Sequence, residues 1–300
     1  MAYRLKDIIA LFQLSAKKSL GQNFILDPML LDKIAKLVLD GLACKNVLEI
    51  GPGPGGMTQA LLQNGARVLA VEKDSRCVNA LRLLKKEYPS DLKILEADAL
   101  LLNEKEAVCE FFHLSDDDFF LPKKKPSLAG NLPYNISTRL LCKWLHQIHL
   151  FSRLTLMFQK EVGARLKASP SDASYGRLSV LTQWLCQVEE VLSLPAGAFT
   201  PAPKVDSVLV RLTPREKPLA PADFSCLEKV TAAAFGQRRK MLRSSLKSLG
   251  DAEEFCAAAG IKSSLRAENV PVEAYCAMAR LLFEKTEKQK SAENVKELQK

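Results

Sequence analysis

The sequence predicts a doubly wound α/β fold followed by a smaller all-α domain. Short apolar runs alternate with amphipathic segments up to about residue 212, and a glycine-rich turn follows the first long run. A segment with three prolines, at 213–221, then separates this region from one in which no convincing strand is found. Alternating strands and helices are typical of a parallel sheet that is covered by helices on both faces.

The individual elements follow from this alternation. Buried apolar runs predict strands near 46–50, 68–72, 92–97, 127–131 and 153–159, and a later pair near 188–194 and 206–212 that forms a hairpin at the sheet edge. Helices are expected near 28–41, 56–64, 75–87, 137–147 and 177–187, and Asp27 and Pro28 are suited to cap and begin the first of them. Past the prolines, helices are expected near 223–235, 237–249, 252–259 and 271–284.

The composition bounds the class of protein. Three hundred residues, 47% of them hydrophobic, suffice for one large domain and a smaller one. The net charge of +9 suits a polyanionic partner, although an ordinary basic enzyme would also carry it. Eight cysteines without a C-x-x-C spacing indicate neither a zinc site nor a disulfide framework. No segment approaches membrane length, so we expect a soluble, cytoplasmic protein.

A glycine-rich loop and two acid-terminated strands predict a nucleotide-like ligand. The loop contains Gly51 and Gly53 in a G-x-G-x-G-G spacing, and Glu49 precedes it within the strand. The next strand ends on Glu72, about where an acid binds a ribose diol in dinucleotide-binding folds. The third strand ends on Asp98, which is placed to accept a hydrogen bond from an adenine amino group. Ligands bind at the carboxyl ends of strands in such sheets.

The segment Asn131-Leu132-Pro133-Tyr134 ends the fourth strand and is suited to alkylation of an exocyclic amine. The lone pair of an aromatic amine is delocalised into the ring, so an enzyme must accept hydrogen bonds from the amino group to turn that lone pair toward a methyl donor. The Asn131 side-chain oxygen and the carbonyl of Leu132 or Pro133 provide two acceptors. Tyr134 offers a face on which a flipped-out base can stack.

With these motifs in their order, the chain resembles the ribosomal RNA adenine dimethyltransferase family, which includes the bacterial 16S rRNA dimethyladenosine transferases. The resemblance extends from about residue 16 to about residue 283. The motifs that carry it are KSLGQNFILD from Lys18, NVLEIGPGPGGMT from Asn46, VEKD from Val71, EADAL from Glu96, GNLPYNIS from Gly130 and AFTPAPKVDSV from Ala198.

The resemblance implies a class I methyltransferase sheet of the Rossmann-like type and S-adenosylmethionine as the methyl donor, with no metal. It implies methyl transfer to N6 of two adjacent adenines near the 3′ end of small-subunit rRNA, and the small ribosomal subunit or its precursor as the partner of a monomer. Phe199 is expected to hold the second face of the target base. The expected contacts to the donor come from Asn23, Ile25, Gly51, Gly53, Glu72, Asp98 and Asn131.

A basic segment in the second domain is a candidate RNA contact. Residues 237–247 carry five cations and no acid, which on a helix would crowd one face: Arg238, Arg239, Lys240, Arg243 and Lys247. Such a face is often only solvated, but beside an adenine-alkylating domain it favours contact with RNA phosphates. The segment 103–126, with lysines at 123–125, is expected to be a surface insertion, and RNA contact there is the alternative.

The predicted division is an N-terminal extension at 1–15, a methyltransferase domain at 16–213, a helical RNA-contacting domain at 214–284 and a flexible tail at 285–300. Other functions stay open at this point. A large-subunit rRNA adenine methyltransferase of the drug-resistance type would share the catalytic motif, and a ribosome assembly factor could keep the fold without needing catalysis. A nicotinamide-dependent oxidoreductase would leave Asn131 to Tyr134 unexplained.

Overall fold

The computed structural model describes residues 5–16 and 21–298, with side chains through residue 291. The strands in chain order are β1 (Phe24–Ile25), β2 (Asn46–Ile50), β3 (Arg67–Glu72), β4 (Leu92–Glu96), β5 (Ser127–Asn131), β6 (Arg153–Gln159), β7 (Cys186–Leu194), β8 (Phe199–Thr200) and β9 (Ser207–Pro214). The helices are α1 (Leu5–Leu11), α2 (Pro28–Leu39), α3 (Gly56–Gln63), α4 (Ser75–Glu87), α5 (Glu104–Phe112), α6 (Tyr134–His146), α7 (Lys160–Lys167), α8 (Arg177–Leu185), α9 (Phe224–Gly236), α10 (Leu242–Ser245), α11 (Ala252–Ala258) and α12 (Val272–Leu298).

A seven-stranded sheet with the order β4-β3-β2-β5-β6-β9-β7 organises the first part of the chain. The five strands from β4 to β6 are parallel, and β9 runs antiparallel to β6. The chain winds outward in both directions from β2 and β5, so the carboxyl ends of these two strands flank the point where the strand order reverses. A crevice opens at such a point. The predicted doubly wound α/β fold is confirmed.

Buried apolar residues on the strands and on the facing helices form the core. Val47 and Val68 have no exposed surface and pack with Ile34 and Val38 of α2 and Leu61 of α3. Parallel strands that are covered on both faces read as continuous apolar runs, which is why the sequence located them well. The predicted cap of α2 is also confirmed, because Asp27 accepts a hydrogen bond from the Met29 amide at 2.9 Å and Pro28 begins the helix.

The segment 103–126 differs from the predicted surface insertion. Residues 104–112 form α5, which Asn103 caps by accepting from the Glu106 amide. Val108 and Phe112 are buried, so this helix packs against the sheet domain as a regular layer element. The outer face of α5 is exposed, and so are most of the residues that follow it, among them Phe120 at 82%.

The chain divides into two compact units. The first comprises residues 1–163 and 189–214, and the second comprises residues 164–188 and 215–300. Residues 164–188 pack within the second unit, although they were predicted to belong to the methyltransferase domain. The buried Tyr175 hydroxyl donates to the Val270 carbonyl at 2.9 Å, and Trp184 Nε1 donates to the Ala220 carbonyl at 2.7 Å. These contacts join positions far apart in the sequence, which periodicity alone does not reveal.

The second unit lacks the long helix predicted at 237–249. Only the short α10 and a 3-10 turn at Lys247–Leu249 form there, because the backbone amides of Leu242 and Arg243 donate to the carbonyls of Leu265 and Ser263 at 2.8 and 3.0 Å. Met241 also forms an isolated bridge with Arg266. The start of this segment is therefore paired with residues 263–266, and helical hydrogen bonds begin only after Met241.

Helices are found near both ends of the described residues. Within the predicted N-terminal extension, α1 buries Leu5 and Ile8. The predicted tail, for which an exposed extension of the last helix was the alternative, is helical, because α12 continues through Leu298. Residues 1–4, 299–300 and Lys18, Ser19 and Leu20 of the first motif lie outside the described residues. No helix within the described part of the chain is long and apolar enough to cross a membrane.

Candidate active site

A cavity in the first unit lies at the carboxyl ends of β2, β3, β4 and β5. It is enclosed by the loop after β2, by the segment 21–25 and by the first turns of α6. All seven residues predicted to contact the donor line it: Asn23, Ile25, Gly51, Gly53, Glu72, Asp98 and Asn131. The crevice expected where the strand order reverses is therefore a real cavity, built from the predicted residue set.

The glycine-rich loop lies against the cavity because two of its residues adopt left-handed backbone conformations. Gly51 has a φ of +67° and Gly53 a φ of +57°. A Cβ atom on Gly53 would also lie 3.0 Å from the ring of Phe24. Side chains at these positions would be strained and would fill space beside the cavity, so glycine is required for the close approach of the backbone.

Glu72, at the end of β3, is a carboxylate that three backbone amides hold in place. Its Oε1 accepts from the amides of Lys73 and Asp74 at 2.8 Å each, and its Oε2 accepts from the Gly53 amide at 2.9 Å. Burial raises the pKa of Glu72, and the three backbone hydrogen bonds oppose that shift. Three of about four acceptor positions are used, which leaves Oε2 able to accept one further hydrogen bond.

Asp98 begins the turn that follows β4. Its Oδ1 accepts from the Leu100 amide at 2.9 Å, and its Oδ2 pairs with the Lys73 ammonium at 2.7 Å. The hydrogen bond from Lys73 lowers the pKa of Asp98, so this carboxylate is ionised. Each of its oxygens keeps a free lone pair for a ligand. Lys73 itself lines the cavity, and the sequence analysis did not single it out.

Glu49 carries an unpaired carboxyl group at the inner wall of the cavity. The residue has no exposed surface, and neither of its oxygens has a hydrogen-bond partner among the described residues. Burial raises the pKa of Glu49 to about 8, and the Glu72 charge adds to the shift. An unpaired buried acid is costly, and a cationic ligand would offset that cost. The sequence placed Glu49 beside the loop without assigning it a contact.

The segment before α2 covers the cavity and contacts the end of β5. Asn131 Nδ2 donates to the Asn23 carbonyl at 2.8 Å, and β1 pairs antiparallel with β8. Leu132 and Pro133 also line the cavity. Tyr134 is not among the lining residues: its hydroxyl forms a 2.5 Å hydrogen bond with Ser207, and its ring is only partly exposed.

Phe199 differs from its predicted position. It is 3% exposed and packs in the core of the first unit, and it does not line the cavity. Its backbone pairs with Ile25, so it supports the strand that covers the cavity. The prediction that Phe199 holds the second face of the target base is not supported by this position, because a ring in the core cannot also stack on a base.

The five cations of the basic segment fall into two groups. Arg238 is a structural residue, since its guanidinium pairs with Glu268 at 2.9 Å and donates to the Ala173 carbonyl at 2.6 Å. The other four are exposed and have no ion pair within the described part of the chain: Arg239, Lys240, Arg243 and Lys247. Lys123 to Lys125 precede β5 and thus lie at the amino end of the strand, opposite the edge that carries the cavity.

The residues of the cavity fit S-adenosylmethionine. The unpaired Glu49 carboxyl suits a cation, the free acceptor position on Glu72 suits a ribose hydroxyl, and the free lone pairs of Asp98 suit an aminopurine. No group of three or more His, Cys, Asp or Glu suited to a metal is found among residues 5–16 and 21–298. The sheet order and this cavity together define a class I S-adenosylmethionine-dependent methyltransferase.

The family follows from comparison with known proteins. Residues 13–284 match the model of the family described as ribosomal RNA adenine dimethylase, and the chain belongs to that family. It is therefore an S-adenosylmethionine-dependent rRNA adenine dimethyltransferase.

Relatives named Ribosomal RNA small subunit methyltransferase A are similar over nearly the full length. The protein from Paramagnetospirillum magneticum is 50% identical over 283 residues, which cover 94% of this chain and 95% of that protein. The one from Rhodospirillum rubrum is 50% identical over 277 residues, covering 92% and 91%.

Two solved structures share the fold. A dimethyladenosine transferase from Plasmodium falciparum aligns with a TM-score of 0.68 at 25% identity, covering 87% of this chain and 97% of that one. The 23S rRNA methyltransferase ErmE aligns with a TM-score of 0.61 at 24% identity, covering 87% and 99%. At that identity the second likeness shows the fold alone.

Proposed function

We propose that this enzyme dimethylates N6 of two adjacent adenines near the 3′ end of 16S rRNA during biogenesis of the small ribosomal subunit. Relatives that carry the small-subunit name at 50% identity support this substrate. The proposed acting form is a monomer, because one chain supplies enough residues to assemble the donor site. Its place of action is the cytoplasm, where ribosomal subunits assemble.

The orientation of Asn131 carries the proposal. Because the Asn23 carbonyl can only accept, the group 2.8 Å from it must be Nδ2, and the side-chain amide is thereby oriented. Oδ1 then points away from that bond and accepts no hydrogen bond within the described residues. A free acceptor oxygen at the end of β5 is what an exocyclic amino group requires.

A second acceptor comes from the backbone next to Asn131. The Pro133 carbonyl already accepts from the Ile136 amide at 3.1 Å, in the first turn of α6. The Leu132 carbonyl is therefore the better candidate for the second hydrogen of the amine. Two acceptors on one amino group draw its lone pair out of the ring plane and orient it, which is catalysis by positioning.

Tyr134 supports the target base from the start of α6. Its hydroxyl is held by Ser207 in β9, so the ring has one fixed orientation. A partly exposed ring in that position provides a face for stacking on a flipped-out adenine. The second face of the base has no assigned residue, because Phe199 lies in the core.

The donor-site roles follow from the spare acceptors. Glu72 accepts from the ribose, Asp98 accepts from the adenine amino group, and Asn23, Ile25, Gly51, Gly53 and Asn131 enclose the remainder. S-adenosylmethionine supplies an already activated sulfonium methyl group. The chain's own residues orient the amine, exclude water and leave the amine proton to depart during or after the transfer.

The second unit contributes RNA affinity through its exposed cations. Arg239, Lys240, Arg243 and Lys247 have no competing ion pair in the described residues and are exposed to solvent. Cations of this kind bind phosphates without regard to base identity. The domain at 214–284 is on this proposal an RNA-contacting domain, although Arg238 is not part of its RNA surface.

The test is a product analysis. The protein is incubated with labelled S-adenosylmethionine and with unmethylated small subunits, large subunits or duplex DNA, and each nucleic acid is digested to nucleosides. We expect labelled N6,N6-dimethyladenosine from small subunits only. Label that appears in large subunits, or a product other than dimethyladenosine, would overturn the proposed substrate.

A further inference from the structure

Lys143 connects the helix that follows the catalytic loop to the turn that carries Asp98. It lies on α6, nine residues after Tyr134, and its side chain is 25% exposed. The ammonium group lies 2.8 Å from the Ala99 carbonyl, 2.5 Å from the Leu102 carbonyl and 2.8 Å from Glu104 Oε1. The ammonium therefore donates to two carbonyls of the turn and forms an ion pair with the residue that begins α5.

Glu104 completes this connection from the other side. Only 1% of its side chain is exposed; it accepts from Trp144 Nε1 at 2.8 Å and from Gln147 Nε2 at 2.6 Å, and it forms an ion pair with Lys143. A buried carboxylate is stable only when it is paired and hydrogen-bonded, and here the partners come from one end of α6. The turn 98–102 and the start of α5 are therefore attached to α6 through charged hydrogen bonds.

The turn held in this way forms one wall of the donor cavity. Ala97, Asp98, Ala99 and Leu100 line it, and the turn is closed by the Asp98 carbonyl, which accepts from the Leu101 amide at 2.9 Å. The Asp98 carboxylate is at the same time paired with Lys73, whose side chain is 63% exposed. Lys143, by contrast, contacts the backbone of this turn, through the carbonyls of Ala99 and Leu102.

We propose that Lys143 is a positioning residue for donor recognition: by fixing the turn 98–102 it holds Asp98 where the carboxylate reads the 6-amino group of the donor's adenine. The inference rests on the role proposed above for Asp98. Lys143 does not line the donor cavity, so we expect its effect to be confined to the ligand group that Asp98 contacts. A residue that only stabilised the fold would affect the binding of every ligand of the cavity to the same extent.

The experiment compares two ligands that differ at the 6-position of the purine. Binding of S-adenosylhomocysteine and of S-inosylhomocysteine, which has an oxygen there, is measured by calorimetry for the wild type, Lys143→Met, Lys143→Arg and Asp98→Asn. Lys105→Met is the matched control, because Lys105 lies on the neighbouring α5 and its ion pair in the described structure is with Asp116, at 2.7 Å. Melting temperatures are recorded for every variant.

The wild type should prefer the adenosyl ligand by about tenfold or more, the effect of one hydrogen bond to a charged group. Lys143→Met should lose most of that preference, because its affinity for the adenosyl ligand falls while its affinity for the inosyl ligand does not. Lys143→Arg should retain part of the preference, and Lys105→Met should match the wild type. If Lys143→Met lowers the affinity for both ligands equally, or keeps the full preference for the adenosyl ligand, the positioning role is wrong. Should Lys143→Met fail to fold, a full preference in Lys143→Arg together with a lowered melting temperature would equally overturn the positioning role.

Failure of the Asp98 assignment has a different signature. In that case the wild type and Asp98→Asn would bind the two ligands with the same ratio, and the adenine-reading role of Lys143 would be overturned with it. The proposed rRNA substrate is tested separately, since these measurements contain no RNA.

Discussion

The side-chain amide nitrogen of Asn131 lies 2.8 Å from the backbone carbonyl oxygen of Asn23, 108 positions earlier in the chain. This bond joins the end of β5 to the segment that covers the donor cavity. It also settles which end of the amide points away from Asn23, and it thereby presents Oδ1 as an acceptor. One contact thus orders the cover of the donor site and prepares the target site.

Replacing Asn131 by Ala should abolish most methyl transfer. The target amine would lose one of its two acceptors and the orientation that the acceptor imposes, and positioning of this kind accounts for a large part of such a rate enhancement. We expect turnover to fall by about two orders of magnitude or more, measured with labelled donor and unmethylated small subunits under saturating conditions.

Donor affinity in the same variant separates catalysis from binding. Asn131→Ala removes the bond to the Asn23 carbonyl, so some loss of S-adenosylhomocysteine affinity is expected beside the larger loss of turnover. Near-normal turnover would show that Asn131 does not orient the amine.

Replacing Glu72 should weaken binding of the methyl donor. Glu72→Gln removes the charge while it keeps an acceptor oxygen, and Glu72→Ala removes both. Because a hydrogen bond to a charged group contributes about 1.5–3 kcal/mol, we expect roughly tenfold to hundredfold weaker binding of S-adenosylhomocysteine in Glu72→Ala by calorimetry. Its melting temperature should also fall, since the amides of Gly53, Lys73 and Asp74 lose their acceptor.

Glu96→Ala is the matched control for Glu72. Glu96 is the register partner of Glu72 at the end of the neighbouring strand, but it is exposed and does not line the cavity. Equal losses of affinity in the two variants would mean that general charge near the site, and not the Glu72 carboxylate, binds the donor.

The stability of the ligand-free protein should decrease as the pH rises through the titration range of Glu49. Burial raises the pKa of this carboxyl from 4.5 to about 8, so the folded state holds the proton more tightly than the unfolded state. The contribution is fully present below pH 4.5 and is lost progressively up to about pH 8. Chemical denaturation at a series of pH values should show a shallower decrease in Glu49→Gln, in which Glu72 still titrates.

The same carboxyl should make donor binding depend on pH. A cationic donor favours the ionised form of Glu49, so binding below pH 8 releases its proton. Affinity for S-adenosylmethionine should therefore increase with pH from 6 to 8, by at most about tenfold per unit. Glu49→Gln should remove this part of the dependence, and an identical pH profile in the two proteins would show that Glu49 does not face the cation.

Changing Arg239, Arg243 and Lys247 together to Gln should weaken binding to small subunits and flatten its salt dependence. If each meets one phosphate, the slope of log affinity against log salt should become smaller in magnitude by about two, the value expected for three contacts to single-stranded RNA. Filter binding at several salt concentrations measures the slope. The melting temperature should not change, because these side chains are exposed and pair with no acid in the described residues.

Arg238→Gln provides the contrasting result. Its guanidinium is used by Glu268 and by the Ala173 carbonyl, so this variant should melt at a lower temperature while the salt slope stays close to that of the wild type. A triple mutant that behaved like Arg238→Gln would mean that its three cations are structural and that the RNA surface lies elsewhere.

Those parts of this enzyme that depend on local order along the chain could be predicted from its sequence. Each site residue at a strand end, such as Glu72, Asp98 and Asn131, follows an apolar run that ends close to where the structure ends the strand. Parallel strands bring their carboxyl ends to one edge of the sheet, so correct strand ends were enough to predict a shared cavity. The glycines at 51 and 53 were equally predictable, because a left-handed backbone is a local demand.

Contacts between distant segments became visible in the folded chain alone. Phe199 was expected from the resemblance to stack on the target base, but its strand pairs with Ile25 and its side chain is buried. The cations of 237–247 were predicted to share one helix face. In the structure, the amides of Leu242 and Arg243 donate to residues 263–266, and Arg238 forms an ion pair with Glu268. Lys143 and Glu104 had no local signal at all, since their partners lie about 40 positions away. Propensity and periodicity describe near neighbours along the chain, whereas burial and charge pairing are set by whichever segments the fold brings together.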